Sequence, residues 1–212
     1  MKLYDYLPSG NSYKVRLLLS YLGIKYNYVP IEIHKGETHT PDYLAMNPAG
    51  QIPVLQLDDG RTLAESNAIL MFLGEDTPYI PLNSFDRAKV VQWMFWEQYR
   101  HEPAIAVARF IRSYVPARED ELPTLMEKGR AALSVMNSHL ENQPWFVGTG
   151  PSLADISLYA YTHVADQGGF DLSNYPYVQT WCARMSEHPK HILITDQPSY
   201  CLLYTSPSPR DS

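Results

Sequence analysis

The chain has 212 residues, 45% of them hydrophobic and 19% charged, with a formal net charge of −6. That is long enough for one large or two small domains with a real core, and the acidic balance offers no field for nucleic acid or an anionic membrane. Two cysteines, Cys182 and Cys201, and seven histidines in no HExxH-like cluster exclude a disulfide framework, a CxxC pair and a metal site at any usual spacing. With no long apolar run and no leader-like start, the expected location is cytoplasmic.

Lys2 to Tyr6 alternates and predicts an opening strand, broken by Leu7-Pro8-Ser9-Gly10-Asn11. Val15, Leu18, Leu19 and Leu22 recur at helical spacing, so Ser12 to Leu22 reads as a helix buried on one face and stopped by Gly23. Tyr26 to Ile33 predicts a second strand, parallel to the first because a helix crosses between them. A polar loop, His34 to Thr40, leads to a short helix over Pro41 to Asn47.

The stretch Asn47 to Leu70 then reads as a turn, a short strand Ile52-Pro53-Val54-Leu55, a tight Asp58-Asp59-Gly60-Arg61 hairpin and a strand at Thr62-Leu63. A helix opens near Glu65-Ser66 and runs to Leu73. Pro53 has no N–H for a sheet ladder, which places it at an edge and makes a cis bond a candidate, with the Ile52 backbone left free for a ligand. Glu65 and Ser66 have two readings: they cap the helix, or the helix start binds a carboxylate through its unpaired N–H groups.

Asp76 to Ser84 is a proline-rich linker by composition, and helices follow. Phe85 to Phe110 is apolar at helical spacing with a kink expected at Pro103; Pro116 to Leu122 is a charged loop; Pro123 to Leu140 is amphipathic. Ser152-Leu153-Ala154-Asp155 has the form of a capping box, worth about 1 kcal/mol of stability. Tyr177 to His188 is a last helix before Pro189, and from Ile194 the pattern fails. Tyr200 to Ser212, dense in Ser and Pro, resembles adapter-derived sequence more than a protein terminus.

The pairing of Ile52-Pro53-Val54-Leu55 with Glu65-Ser66-Asn67-Ala68-Ile69 resembles the γ-glutamyl-peptide half-site of glutathione transferases, and Gly148 to Asp155 resembles the start of that family's buried sixth helix. The resemblance, closest to serine-type bacterial members, covers about residues 1 to 193. It implies an α/β plus all-α fold: a thioredoxin-like glutathione-binding domain over 1–78, a linker over 79–85, an all-helical domain over 86–193 and an irregular tail over 194–212. It also implies a homodimer that uses glutathione as co-substrate against a small hydrophobic electrophile.

Such chemistry needs a thiolate. A thiol pKa of about 8.5 leaves only about 3% ionised at pH 7, and lowering it by about two units takes about 2.7 kcal/mol. One or two hydrogen bonds to the charged sulfur supply that. By resemblance, Ser9 is the first donor and Asn11 the second. Two alternatives stand beside this: Ser12 is the N-cap and Ser9 only a turn residue, or Tyr6 in Tyr6-Leu7-Pro8 plays the part of the activating tyrosine of other classes.

No cysteine lies between Met1 and Trp181, so the cysteine-type mixed-disulfide mechanism has no residue to use. The Ser-Ser-Cys signature of the isomerase class fails at Gly10 and Asn11. Lys35 and Gln51 are expected at the glycyl end of the peptide, with Ile52, Pro53, Glu65 and Ser66 holding the rest. For the second substrate, Tyr99, His101, Ile105, Arg109 and Phe110 form a candidate lining, although an aromatic stripe at helical spacing also reads as core. Besides transfer, a glutathione-dependent disulfide or peroxide reductase and a non-catalytic partner-binding protein remain as alternative readings.

Overall fold

The computed structural model describes residues 1–198. Strand β1 (Lys2–Asp5) leads into helix α1 (Gly10–Leu22), and β2 (Asn27–Pro30) returns parallel to β1. After two short 3-10 turns and α2 (Pro41–Met46), β3 (Val54–Gln56) and β4 (Thr62–Ala64) form an antiparallel hairpin, and α3 (Ser66–Gly74) closes the unit. The sheet order is β2-β1-β3-β4, with β3 antiparallel to β1. This is the thioredoxin-like arrangement the sequence predicts.

Pro53 departs from expectation in one respect. The Ile52-Pro53 bond is cis, but β3 is an interior strand, not an edge. The proline is tolerated because the ladder begins one residue later, at Val54, so no N–H is missed and Ile52 lies outside the pairing.

All further elements are helical: α4 (Ser84–Trp96), α5 (Glu102–Tyr114), α6 (Leu122–Leu140), α7 (Leu153–Thr162) and α8 (Pro176–Ser186). Among the described residues no helix is long and apolar enough to cross a membrane. Between α4 and α5 the chain makes a π-type turn over Glu97–His101, in which the Glu102 N–H reaches back to the Glu97 carbonyl. Pro103 explains it: with no N–H it cannot bond the carbonyl four residues back, and the turn widens. One long bent helix is thus two helices with a residue gained between them.

Helix α1 is buried on more than one face. Val15, Leu18 and Leu19 are fully buried, and so are Lys14 and Arg16. The sheet covers one side and α3 and α7 the others, so each charge needs a partner inside. Arg16 pairs with Asp5 at 2.8 Å and donates to the carbonyls of Leu7 and Ile194. Lys14 pairs with Glu97 at 2.9 Å.

The segment from Lys190 to Asp196 lies along α1: Tyr13 donates to the Ile192 carbonyl at 2.6 Å and Ser20 to that of Lys190 at 2.7 Å. The pattern ends as read, with no helix or strand from Ile194 to Pro198, yet Ile194 is 6% exposed because these residues dock through backbone carbonyls that side-chain periodicity does not register. The reading of Tyr200 to Ser212 lies outside the described residues.

The capping box at α7 forms as expected and does more than cap. Asp155 is fully buried and accepts from the N–H groups of Ser152 and Phe146, the Ser152 hydroxyl and the Trp181 indole. It ties α7 to the 143–148 turn and to α8 at one carboxylate.

Candidate functional site

The N-termini of α1 and α3 converge on a cleft of about 540 Å³ at the seam between sheet and helices. Ser9, not Ser12, is the N-cap of α1, and its Oγ accepts the Ser12 N–H at 3.3 Å. The cap uses a lone pair, so the Ser9 hydroxyl hydrogen remains available to a ligand. Ser12 sits inside the helix, fully buried.

Asn11 follows on the first turn and also lines the cleft. Its N–H donates to the Tyr161 hydroxyl at 3.2 Å, and its Oδ1 accepts from Ser66 Oγ at 3.2 Å. Gly10 between them is there for space: a Cβ would sit 2.4 Å from the Tyr161 ring.

On the α3 side, Glu65 carries φ 67° and ψ 110°, a conformation that costs an ordinary residue about 1–3 kcal/mol. Its side chain makes no cap bond, so the plain capping reading does not account for it. Ser66 opens α3, with the unpaired N–H groups of the first turn facing outward. Opposite, the Gln51 carbonyl is held by Asn47 Nδ2 at 2.8 Å and by the Tyr43 hydroxyl at 2.9 Å, which fixes the loop entering Ile52 and Pro53. Gln51, Ile52, Pro53, Glu65 and Ser66 all line the cleft.

Other expected residues lie elsewhere. Tyr6 is not among the lining residues; its ring packs edge-on against His34 and Tyr114, and burial, reinforced by Tyr114, pushes its phenol up to about 12. Lys35 ends a 3-10 turn whose Ile33 lines the cleft, but is itself exposed and not among the lining residues. In its place His39 lines it, with Nδ1 at 2.9 Å from the Thr38 hydroxyl and its ring against Gly50, whose φ of +62° no larger residue adopts easily.

The second-substrate stripe is corrected by the π-type turn. Tyr99 is 80% exposed and faces another groove, while His101 and Ile105 are fully buried. Arg109 donates to the Pro8 carbonyl at 2.8 Å and to Gln167 at 2.7 Å, closing the seam behind the Ser9 turn. One extra residue shifts the phase of everything before it by about 100°. Of the expected stripe Phe110 does line the cleft, and Gln98 and Glu102 complete its helical wall. Reading Glu102-Pro103 as a helix start, where proline is favoured, would have found Glu102.

Behind Ser66 lies a buried polar network. Lys14 Nζ bonds both Glu97 oxygens at 2.9 Å and lies 3.5 Å from Ser66 Oγ; Asn67, Gln98 and Ser157 complete the Glu97 carboxylate. The only cysteine among the described residues, Cys182, is on α8, its thiol pushed up to about 12 by burial. The cleft thus offers hydroxyl and amide donors, two helix N-termini and no sulfur of its own.

Comparison with known proteins agrees with that chemistry. Residues 1–75 match the family model for the glutathione S-transferase N-terminal domain and residues 96–189 that for the C-terminal domain. A crystal structure of a glutathione S-transferase from Pseudomonas fluorescens is 49% identical, with a TM-score of 0.90 over 92% of this chain and 98% of that one. Maleylacetoacetate isomerase of Pseudomonas aeruginosa is 30% identical over 196 residues, covering 89% of this chain and 92% of the relative. The disulfide-bond oxidoreductase YfcG of Escherichia coli is 28% identical over 195 residues, covering 87% and 89%. With both halves matched and the fold shared, the chain belongs to the glutathione S-transferase family.

Proposed function

We propose that the protein is a glutathione transferase whose thiolate is held by Ser9 and Asn11. The observation that carries this is the Ser9 hydroxyl: it caps α1 through its oxygen and keeps its hydrogen for the cleft, two positions from Asn11. In this reading the γ-glutamyl group lies against Glu65 and Ser66, and the peptide pairs with the Ile52 backbone beside Pro53. The glycyl carboxylate lies toward Gln51 and His39. The thiol gives its proton to water, sulfur forms the bond to an electrophilic carbon beside Phe110, and the leaving group departs with the bonding pair. Phe85 and Phe95, 71% and 65% exposed, support a homodimer that covers them.

Calorimetric titration with glutathione, with thiolate absorbance followed against pH, tests the proposal. Wild type is expected to bind and to lower the thiol pKa by one to two units; Ser9→Ala should lose that drop and Tyr6→Phe keep it. No heat and no thiolate signal at millimolar glutathione would sink the catalytic reading and favour a partner-binding role. Because one relative is named a disulfide-bond oxidoreductase, a reductase using two glutathiones is the second reading. Turnover of a mixed glutathione disulfide without aryl-halide conjugation would establish it instead.

A further inference from the structure

The loop between β1 and α1 is held by two arginines as well as by its own backbone. The Ser9 N–H donates to the Tyr6 carbonyl at 2.8 Å, and the Ser9 carbonyl accepts from the Tyr13 N–H at 2.9 Å. Arg109 Nη1 donates to the Pro8 carbonyl at 2.8 Å and Arg16 Nη2 to the Leu7 carbonyl at 2.6 Å. The Pro8–Ser9 peptide is thus bonded at both ends, while the peptide before it has no N–H to be held by. With its backbone groups and its oxygen in use, Ser9 has its hydroxyl hydrogen left for the cleft.

Arg16 has a structural account already: it is fully buried and pairs with Asp5. Arg109 has none. It is half buried, it does not line the cleft, and it bonds a backbone carbonyl and an amide oxygen rather than a carboxylate. Its Nε donates to Gln167 Oε1 at 2.7 Å, in the 3-10 turn Ala165–Gly168 after α7, which aims the guanidinium at the loop. Resting on the transferase reading, we propose that Arg109 is a positioning residue: by holding the Pro8 carbonyl it fixes the peptide that carries Ser9, and so the reach of the Ser9 hydroxyl to the glutathione sulfur. A bond from a charged donor is stronger than one between neutral groups, and a displacement of about 1 Å is enough to spoil a catalytic contact. The thiol-activating turn of the first domain is therefore completed by a side chain of the second.

Charge alone would act with the same sign, since a nearby cation favours a thiolate wherever its bonds go. A double-mutant cycle with S9A separates the two. Under the proposal R109M raises the bound-thiol pKa by about one unit when Ser9 is present and leaves it unchanged in S9A, where there is no hydroxyl to aim. An equal rise in both backgrounds, or no rise in either, overturns the inference. A second measurement needs no glutathione. In the free protein the Ser9 backbone amide should exchange about tenfold faster in R109M than in wild type, with the amides of α7 unchanged to show that the fold is kept. Wild type failing to ionise glutathione removes the transferase reading and leaves the exchange to decide whether Arg109 holds the turn; equal Ser9 exchange in the two proteins shows that it does not.

Discussion

His101 ought to make the protein acid-sensitive in a calculable way. Its ring is fully buried, and Nε2 lies 2.8 Å from the Thr162 hydroxyl. Thr162 spends its only hydrogen on the Leu158 carbonyl, so Nε2 must carry the imidazole proton. Nδ1 has no partner among the described residues, and a second proton would have to be placed there, as a buried charge without an acceptor. Burial accordingly pushes His101 down to about 4, with Glu97 opposing and Lys14 assisting.

A depressed histidine contributes stability above its unfolded value, about 6.5, and loses it as pH falls toward the folded one. Between pH 7 and 4.5 the His101 contribution should fall by about 2.4 kcal/mol, from the folded value of about 4. Asp5, raised to about 6 by burial, acts in the opposite sense: its stabilisation is full below about 3.8 and is lost as pH rises through 6. Urea unfolding of wild type and His101→Gln at both pH values cancels Asp5 and isolates the histidine. Gln can still donate to Thr162, so a cost of about 1 kcal/mol is expected at pH 7, with the pH-dependent loss reduced by about 2.4 kcal/mol. Equal pH-dependent losses in the two proteins would refute the argument.

Gly10→Ala should destabilise by about 1–3 kcal/mol, because the new Cβ meets the buried Tyr161 ring at 2.4 Å and that ring cannot swing aside. Glutathione affinity should weaken with it, since Ser9 and Asn11 flank the displaced turn; calorimetry showing wild-type affinity would argue against this account. Lys14→Met leaves Glu97 buried with its charge uncompensated and should cost about 3–5 kcal/mol. Lys14→Met with Glu97→Leu should recover most of that in a denaturant double-mutant cycle, and additive losses would mean that the two charges do not act as a pair.

The local signals in this sequence were those in which adjacent residues do the work. Gly23 ends α1, the Asp58–Arg61 turn makes the hairpin, Pro53 announces itself by lacking a donor, and Ser152 with Asp155 forms its box within one helical turn. Each is decided by backbone sterics or by a bond spanning a few residues, so the elements, their order and the cleft-lining residues Gln51, Ile52, Pro53, Glu65 and Ser66 were legible. The helical wall was not. Whether Tyr99 or Gln98 faces the cleft depends on one residue of phase, set when Pro103 removes a bond from the preceding turn. Arg109 has the composition of a substrate ligand, yet its partners, Pro8 and Gln167, come from 101 and 58 residues away. The pairing of Asn11 with Ser66, 55 positions apart, exists only because two helix N-termini meet. Side-chain type fixes what a residue can donate or accept; only the packing of α1, α3, α5 and α7 decides which group receives it.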